Sequence, residues 1–311
     1  MPSSGFLGGG IGPTAIKRRS GLAAPVPVVG AELLVNGEFT SSTTGWNIVL
    51  GNASVVDSTS EPGASSSGLD NNCLRLESTA SGTSASRNIS TSAGDWILLS
   101  ARAYAKSANT QVRAARLQPT NSTPALTSQV TAEDTWETLR QTVRATNTVG
   151  YTLQCQNAGA STSGDIAYFD AGSARTITIS SLFSTRLYAS ANCDLSAAIT
   201  RTAGTQAGFV ARLDSATSPA NFIIAYLDGA GNVKVDKCVA GTYTNVISGA
   251  ITYGSTKILR LVCSGNSVSA YYDGTQVGST VTVSDAGIVS NTRHGLFSTY
   301  ASNSFAGYVA A

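Results

Sequence analysis

The chain has 311 residues, of which 42% are hydrophobic and only 12% charged, and its formal net charge is +2. Apolar content of that order excludes a charge-rich disordered chain, and the length suits about two domains. So small a net charge excludes polyanion binding by bulk electrostatics, so nucleic acid is not an expected partner. The 31 glycines, set among dense Ser, Thr, Ala and Asn, predict short strands joined by tight turns and therefore an all-β protein.

Residues 1–28 carry Gly8-Gly9-Gly10, Gly12-Pro13 and Ala24-Pro25-Val26-Pro27, a composition that supports neither a helix nor a core. A plain flexible linker has no use for Phe6, Leu7, Ile11 and Ile16. With Lys17, Arg18 and Arg19 they predict an extended arm that anchors the protein by ordering against a partner. The basic run before Gly21 imitates a secretory signal, but Pro25 and Pro27 interrupt the apolar stretch, so no signal peptide is expected. No stretch approaches the roughly 18 apolar residues of a membrane span, and no membrane insertion is expected.

Residues 29–175 supply the first set of strands. Trp96–Ala105 places Ile97, Leu99, Ala101, Ala103 and Ala105 on one side, and Trp96, Leu98, Ser100, Arg102 and Tyr104 on the other. Further strands are predicted at 112–118, 139–145 and 151–157, the second of which sets Arg140, Thr142 and Arg144 opposite an apolar face. Residues 176–311 repeat a strand–turn–strand grammar at 222–239 and 258–278, read as successive hairpins of one meander. With no helical periodicity of ten or more residues, the expectation is two antiparallel β-sandwiches, 29–175 and 176–311, behind the arm at 1–28.

Cys73, Cys155, Cys193, Cys238 and Cys263 include no CxxC and are odd in number. They predict buried thiols in a reducing compartment, not a zinc site or a disulfide framework. Catalysis finds little support. His294 is the one histidine, set in Arg293-His294-Gly295-Leu296-Phe297, which reads as a final strand, and the adjacent Glu133 and Asp134 read as turn residues. No catalytic residue and no enzyme activity are expected. The mixed face bearing Trp96, Arg102, Tyr104, Arg140 and Arg144 suits two occupants. Aromatic rings stack on sugars and guanidinium groups bind acidic ones, while the same residue types favour protein interfaces.

Leu33-Leu34-Val35-Asn36-Gly37-Glu38-Phe39, Thr44-Gly45-Trp46, Trp136-Glu137-Thr138-Leu139 and Ile166-Ala167-Tyr168-Phe169-Asp170 resemble the opening "NGxF…GW", late "W" and closing "FD" strands of galactose-binding-like jelly-roll carbohydrate-binding modules. The second half resembles laminin-G-like or concanavalin-A-like sandwiches through Phe222–Leu227, Val239–Tyr243, Leu259–Ser264, Val268–Gly274 and His294–Phe297. The tandem behind a Gly-rich arm is similar to bacteriophage tail-fibre, head-fibre and capsid-decoration proteins. That resemblance implies a virion structural protein, located in the virion. Its partners would be other virion proteins through the arm, host surface glycans, and further copies of itself, a trimer being one form. It also implies core roles for Trp46 and Trp136, and no cofactor beyond a structural calcium for which Glu38 and Asp170 are the candidate ligands. The alternative is a secreted bacterial carbohydrate-binding accessory protein.

Overall fold

The computed structural model describes residues 21–66, 68, 70–79, 82–156 and 163–311. The candidate anchor residues Phe6, Leu7, Ile11, Ile16, Lys17, Arg18 and Arg19 lie outside them. Among the described residues regular structure is almost entirely antiparallel β, with one 3-10 turn at Ile179–Leu182 and one short helix at Ala286–Val289.

The N-terminal half contributes β1 (Val29–Glu32), β2 (Asn47–Val49), β3 (Asn52–Asp57), β4 (Asn72–Glu77), β5 (Thr83–Ile89), β6 (Trp96–Ala105), β7 (Ala115–Thr123), β8 (Ser128–Gln129), β9 (Glu137–Cys155) and β10 (Ile166–Ile177). They hydrogen-bond in the order β2-β5-β9-β6-β10-β4-β3, with β1 added to β10, β7 to β9 and β8 to β7. β6 follows its sequence period. Ile97, Leu99, Ala101, Ala103 and Ala105 enter the core beside Leu74, Leu153 and Phe169, as alternation along a pleated strand requires.

The opening loop is held by its own residues. Asn36 and Phe39 take left-handed conformations with φ of 58° and 51°, which drops the Phe39 ring into the core 5.1 Å from Trp46. The Trp46 indole N–H donates to the Asn36 carbonyl at 3.0 Å, so the buried ring leaves no polar atom unpaired.

Two strand expectations need correction. The segments expected at 139–145 and 151–157 are joined in one strand of 19 residues, β9, which ends at Cys155; residue 157 lies outside the described residues. Thr146–Gly150 stays extended because it is flanked on both sides: Val149 pairs with Ile89, and Gly150 with Asn88 and Thr120. Gly150 is needed there, since a Cβ would sit 2.3 Å from the Thr120 hydroxyl. β7 begins three residues later than expected and runs on to Thr123.

The C-terminal half contributes β11 (Phe183–Leu187), β12 (Cys193–Thr200), β13 (Ala207–Leu213), β14 (Phe222–Leu227), β15 (Asn232–Val239), β16 (Thr242–Ala250), β17 (Ile258–Ser264), β18 (Ser267–Tyr272), β19 (Thr275–Thr282), β20 (Arg293–Ser298) and β21 (Ser304–Ala310). These form a six-stranded sheet, β11-β20-β13-β14-β15-β16, and a five-stranded sheet, β19-β18-β17-β12-β21. The expected single meander is therefore divided: β14 and β15 lie in one sheet, and β17 to β19 in the other. Between β14 and β15, Asp228 closes the turn by accepting from the Ala230 and Asn232 N–H groups at 2.7 and 3.0 Å.

β14 explains how the halves meet. All six of its residues are buried, unlike a strand with one solvated face. Ile223, Ala225 and Leu227 point into the sandwich, whereas Phe222, Ile224 and Tyr226 join a separate cluster with Trp96 and Ile177 of the first half. The chain passes between the halves beside its own entry point. Thr178 N–H donates to the Val28 carbonyl at 2.9 Å, and Val28 N–H to the Ser181 hydroxyl at 2.8 Å.

Candidate functional site

Register assembles the mixed face as a ladder of pairs across β6 and β9: Trp96 with Arg144, Leu98 with Thr142, Ser100 with Arg140 and Arg102 with Thr138. The structure then divides that ladder between two surroundings. The Trp96 end meets the second half of the chain, and the Arg102 end lies under the loop before β4.

Trp96 is only 2% exposed. Its ring meets Tyr226, Tyr243 and Phe297 at 6.5, 6.4 and 5.5 Å between centroids, and its N–H donates to the Tyr243 hydroxyl at 3.1 Å. Arg144 lies 4.0 Å over the Tyr243 ring and pairs with Asp236 at 2.9 Å. The Tyr226 hydroxyl and Asn245 amide also donate to Asp236, at 2.9 and 2.8 Å. Beside them the Thr142 hydroxyl contacts Gln206 Oε1 and the Thr299 hydroxyl, each at 2.6 Å. Trp96 and Arg144 were expected on a face open to sugar or to another subunit. They are covered instead by the second half of the same chain, because the outer face of β14 is apolar and needs a partner.

Arg102 and Tyr104 belong to a different environment. The Arg102 guanidinium donates to the Ser66 carbonyl at 3.1 Å and to the Thr138 hydroxyl at 3.3 Å. Tyr104 is buried against Trp136 and Tyr168, with ring centroids 5.6 and 5.9 Å away. The Trp136 indole N–H donates to the Ala64 carbonyl at 2.7 Å. These five residues therefore do not make one site.

Arg140 lines the most spacious of the grooves that members of the set border; Arg144 borders a smaller one, of about 250 Å³, with Gly94 and Gly241. The Arg140 groove, about 430 Å³, runs along the junction between Gln129, Thr131, Glu137 and Thr138 on one side and Thr202 and Gly204 on the other. The Arg140 guanidinium lies 4.6 Å over the Tyr300 ring, and among the described residues it makes no ion pair. Gly204, at φ +74°, lets the second half approach closely, since a Cβ there would lie 2.1 Å from the Arg140 carbonyl oxygen. Gly204 in turn accepts from the Thr142 N–H at 2.8 Å. The Glu137 carboxylate is committed to Thr131 and Ala132 N–H groups at 2.8 and 2.6 Å. A partly exposed cation over an aromatic ring, amid hydroxyl and amide groups, can bind a hydroxylated or anionic ligand.

His294 is buried, with Nδ1 accepting from Arg212 N–H and Nε2 against the Ser190 carbonyl, both at 3.0 Å. Burial lowers its pKa. Both ring nitrogens are thus committed to backbone groups. Glu133 accepts from Arg113 N–H and Asp134 from Ser107 N–H, as turn residues do.

Asp170 lies on β10, fully buried. Burial pushes its carboxyl up to about 6; the Ser66 hydroxyl bond opposes this, and the charges of Glu38 and Asp70 add to it. Among the described residues its Oδ1 has no hydrogen-bond partner, a feature that suits a cation. Calcium takes six to eight oxygen ligands, and among the described residues no group of three Asp, Glu, His or Cys side chains could hold a metal ion. A carboxyl whose folded pKa exceeds the unfolded value of about 3.9 favours the protonated native state. Its stabilising contribution is full below about pH 4 and is lost as pH rises through about 6. Subtracting the urea-unfolding profile of Asp170→Asn from that of the wild type is expected to reveal this loss. A difference flat across the window rejects a buried acid here.

No family model and no curated protein matches the sequence. Among solved structures, a family 66 carbohydrate-binding module from Bacillus subtilis is similar over 41% of this chain and 76% of its own, at 19% identity and a TM-score of 0.31. Sheep galectin-11, in complex with glycerol, is similar over 41% of this chain and 96% of its own, at 6% identity and a TM-score of 0.33. A GH43 protein from Bacillus licheniformis matches over 40% of this chain and 27% of its own, at 17% identity and a TM-score of 0.29.

Proposed function

We propose that the protein is a non-enzymatic, glycan-contacting structural protein of a bacteriophage virion, a fibre or decoration whose N-terminal arm anchors it and whose junction groove holds sugar. The observation that carries the glycan reading is Arg140, 4.6 Å over the Tyr300 ring in a largely uncharged groove, with no carboxylate among the described residues pairing it. Titration calorimetry of the full chain against neutral and uronic-acid-bearing oligosaccharides tests it. Arg140→Ala is expected to weaken binding about tenfold or more, the effect of removing a charge-assisted hydrogen bond. Equal binding by wild type and variant, or none by either, overturns the reading.

The virion reading rests on the sequence resemblance and on the composition of residues 1–28. Phe6, Leu7, Ile11 and Ile16 would bury on a particle component, and Lys17, Arg18 and Arg19 would complement an acidic one. Deleting residues 1–20 is expected to leave melting unchanged while abolishing incorporation into purified particles, quantified by mass spectrometry. Normal incorporation refutes the anchor. The sequence resemblance offers Glu38 and Asp170 to a structural calcium, and two carboxylates fall short of the six to eight oxygens that calcium takes; calcium chloride, relative to EDTA, is expected to leave the melting temperature of the wild type unchanged, and a rise absent from Asp170→Asn would reveal a site there.

A further inference from the structure

The end of the C-terminal sandwich holds a group of side chains that glycan contact leaves unused. Cys193 on β12 stands directly opposite Cys263 on β17, and both thiols face the core at 5% and 1% exposure. Directly opposed residues in an antiparallel pair hold their Cβ atoms about 4.5–5.5 Å apart. A disulfide needs about 3.5–4.5 Å, so a small closure of the ladder suffices. The two sulfurs interact, which raises the pKa of Cys193 and lowers that of Cys263.

Arg212 adds an independent observation. It reaches from β13 in the other sheet, and its guanidinium donates to the Ala191 carbonyl at 2.9 Å and to the Gly265 carbonyl. These two carbonyls lie two residues from Cys193 and Cys263 respectively. The side chain is fully buried, it makes no ion pair among the described residues, and its Nη1 lacks a hydrogen-bond partner. A buried cation with an unused donor is costly unless an anion lies beside it. The charge of Arg212 lowers the pKa of both thiols, so a thiolate there would serve as that anion.

We propose that Cys193 and Cys263 form a thiol–disulfide site, closed to a cross-strand bond by exchange with a small-molecule disulfide. The Cys263 thiolate attacks one sulfur of the reagent, whose S–S bond breaks and releases a thiolate. Cys193 then gives up its proton to that leaving thiolate and attacks the Cys263 sulfur, expelling the second thiolate, which takes the proton lost when Cys263 first ionised. Two protein thiols are oxidised and one reagent disulfide is reduced to two thiols. The other cysteines have no sulfur opposite them. Cys73 pairs across the ladder with Val56, Cys155 with Thr83 and Ala115, and Cys238 with Phe222 and Tyr243, and burial pushes all three thiols up to about 12.

The test incubates the full chain with oxidised glutathione, both as native protein and during refolding from urea. Denaturing alkylation and peptide mass mapping follow. The expected result is loss of two of the five free thiols, a cross-linked Cys193–Cys263 peptide, and a melting temperature several degrees higher that dithiothreitol reverses. A cross-link found in the refolding arm alone still supports the site, with access limited by burial. Cys193→Ser and Cys263→Ser are each expected to lose the cross-link, and where either fails to fold the wild-type map decides. Five free thiols in both arms, a glutathione adduct that never resolves, or equal pairing with Cys73, Cys155 or Cys238 overturns the proposal.

Discussion

Trp96→Ala is expected to split a single calorimetric melting transition into two and to cost about 3–5 kcal/mol, the range for truncating a large buried aromatic. Trp96 sits at the edge of the first half, but its ring contacts come from the second, where Tyr226, Tyr243 and Phe297 surround it. Removing it opens a cavity within the apolar cluster that joins the halves and strands the Tyr243 hydroxyl it bonds. Each half retains its own core, so loss of the shared cluster exposes their separate stabilities. A variant that still melts in one step with both halves reporting together would show that other contacts suffice to join them.

Asp236→Ala is expected to destabilise the chain by a similar amount, about 3–5 kcal/mol, because it leaves the Arg144 charge buried without its partner. The Arg144 and Asp236 side chains are only 10% and 1% exposed, and the deletion also orphans the Tyr226 hydroxyl and the Asn245 amide. Replacing both ions, as Arg144→Met with Asp236→Leu, is expected to recover much of the loss, since an apolar pair of similar volume removes the unpaired charge. Denaturant unfolding of both single variants and the double variant checks this through the coupling energy. A double variant as weak as the sum of the singles would mean that the charges act separately.

The strand Trp96–Ala105 was legible to the residue because period-two alternation reports one buried face directly. The mixed face of that strand was equally legible, but its occupant was not: Tyr243 lies 147 residues from Trp96, and Asp236 lies 92 from Arg144. A signal was nonetheless present in Phe222–Leu227, an unbroken apolar run that can be buried only if both its faces are covered. The bend-free passage through Thr146–Gly150 escaped reading because polar residues and a glycine normally punctuate turns. Pairing on both edges overrode that tendency. In the sequence Arg140 is one of five residues on a mixed face, and only the placement of Tyr300 and Gly204 separates it from the others.

The short staple between Val28, Thr178 and Ser181 has a mechanical meaning. The points where the chain enters and leaves the first half lie side by side, and β1 pairs with the last residues of β10. Tension drawn between the N-terminal segment and the C-terminal sandwich therefore passes across this staple and the β1–β10 pair and bypasses the rest of the ten-stranded sheet. The load peels hydrogen bonds one at a time instead of shearing a ladder at once, so the staple and β1 would yield at low force. The first half would then remain folded as a side arm, held by Trp96 and Arg144 to the sandwich that bears the pull.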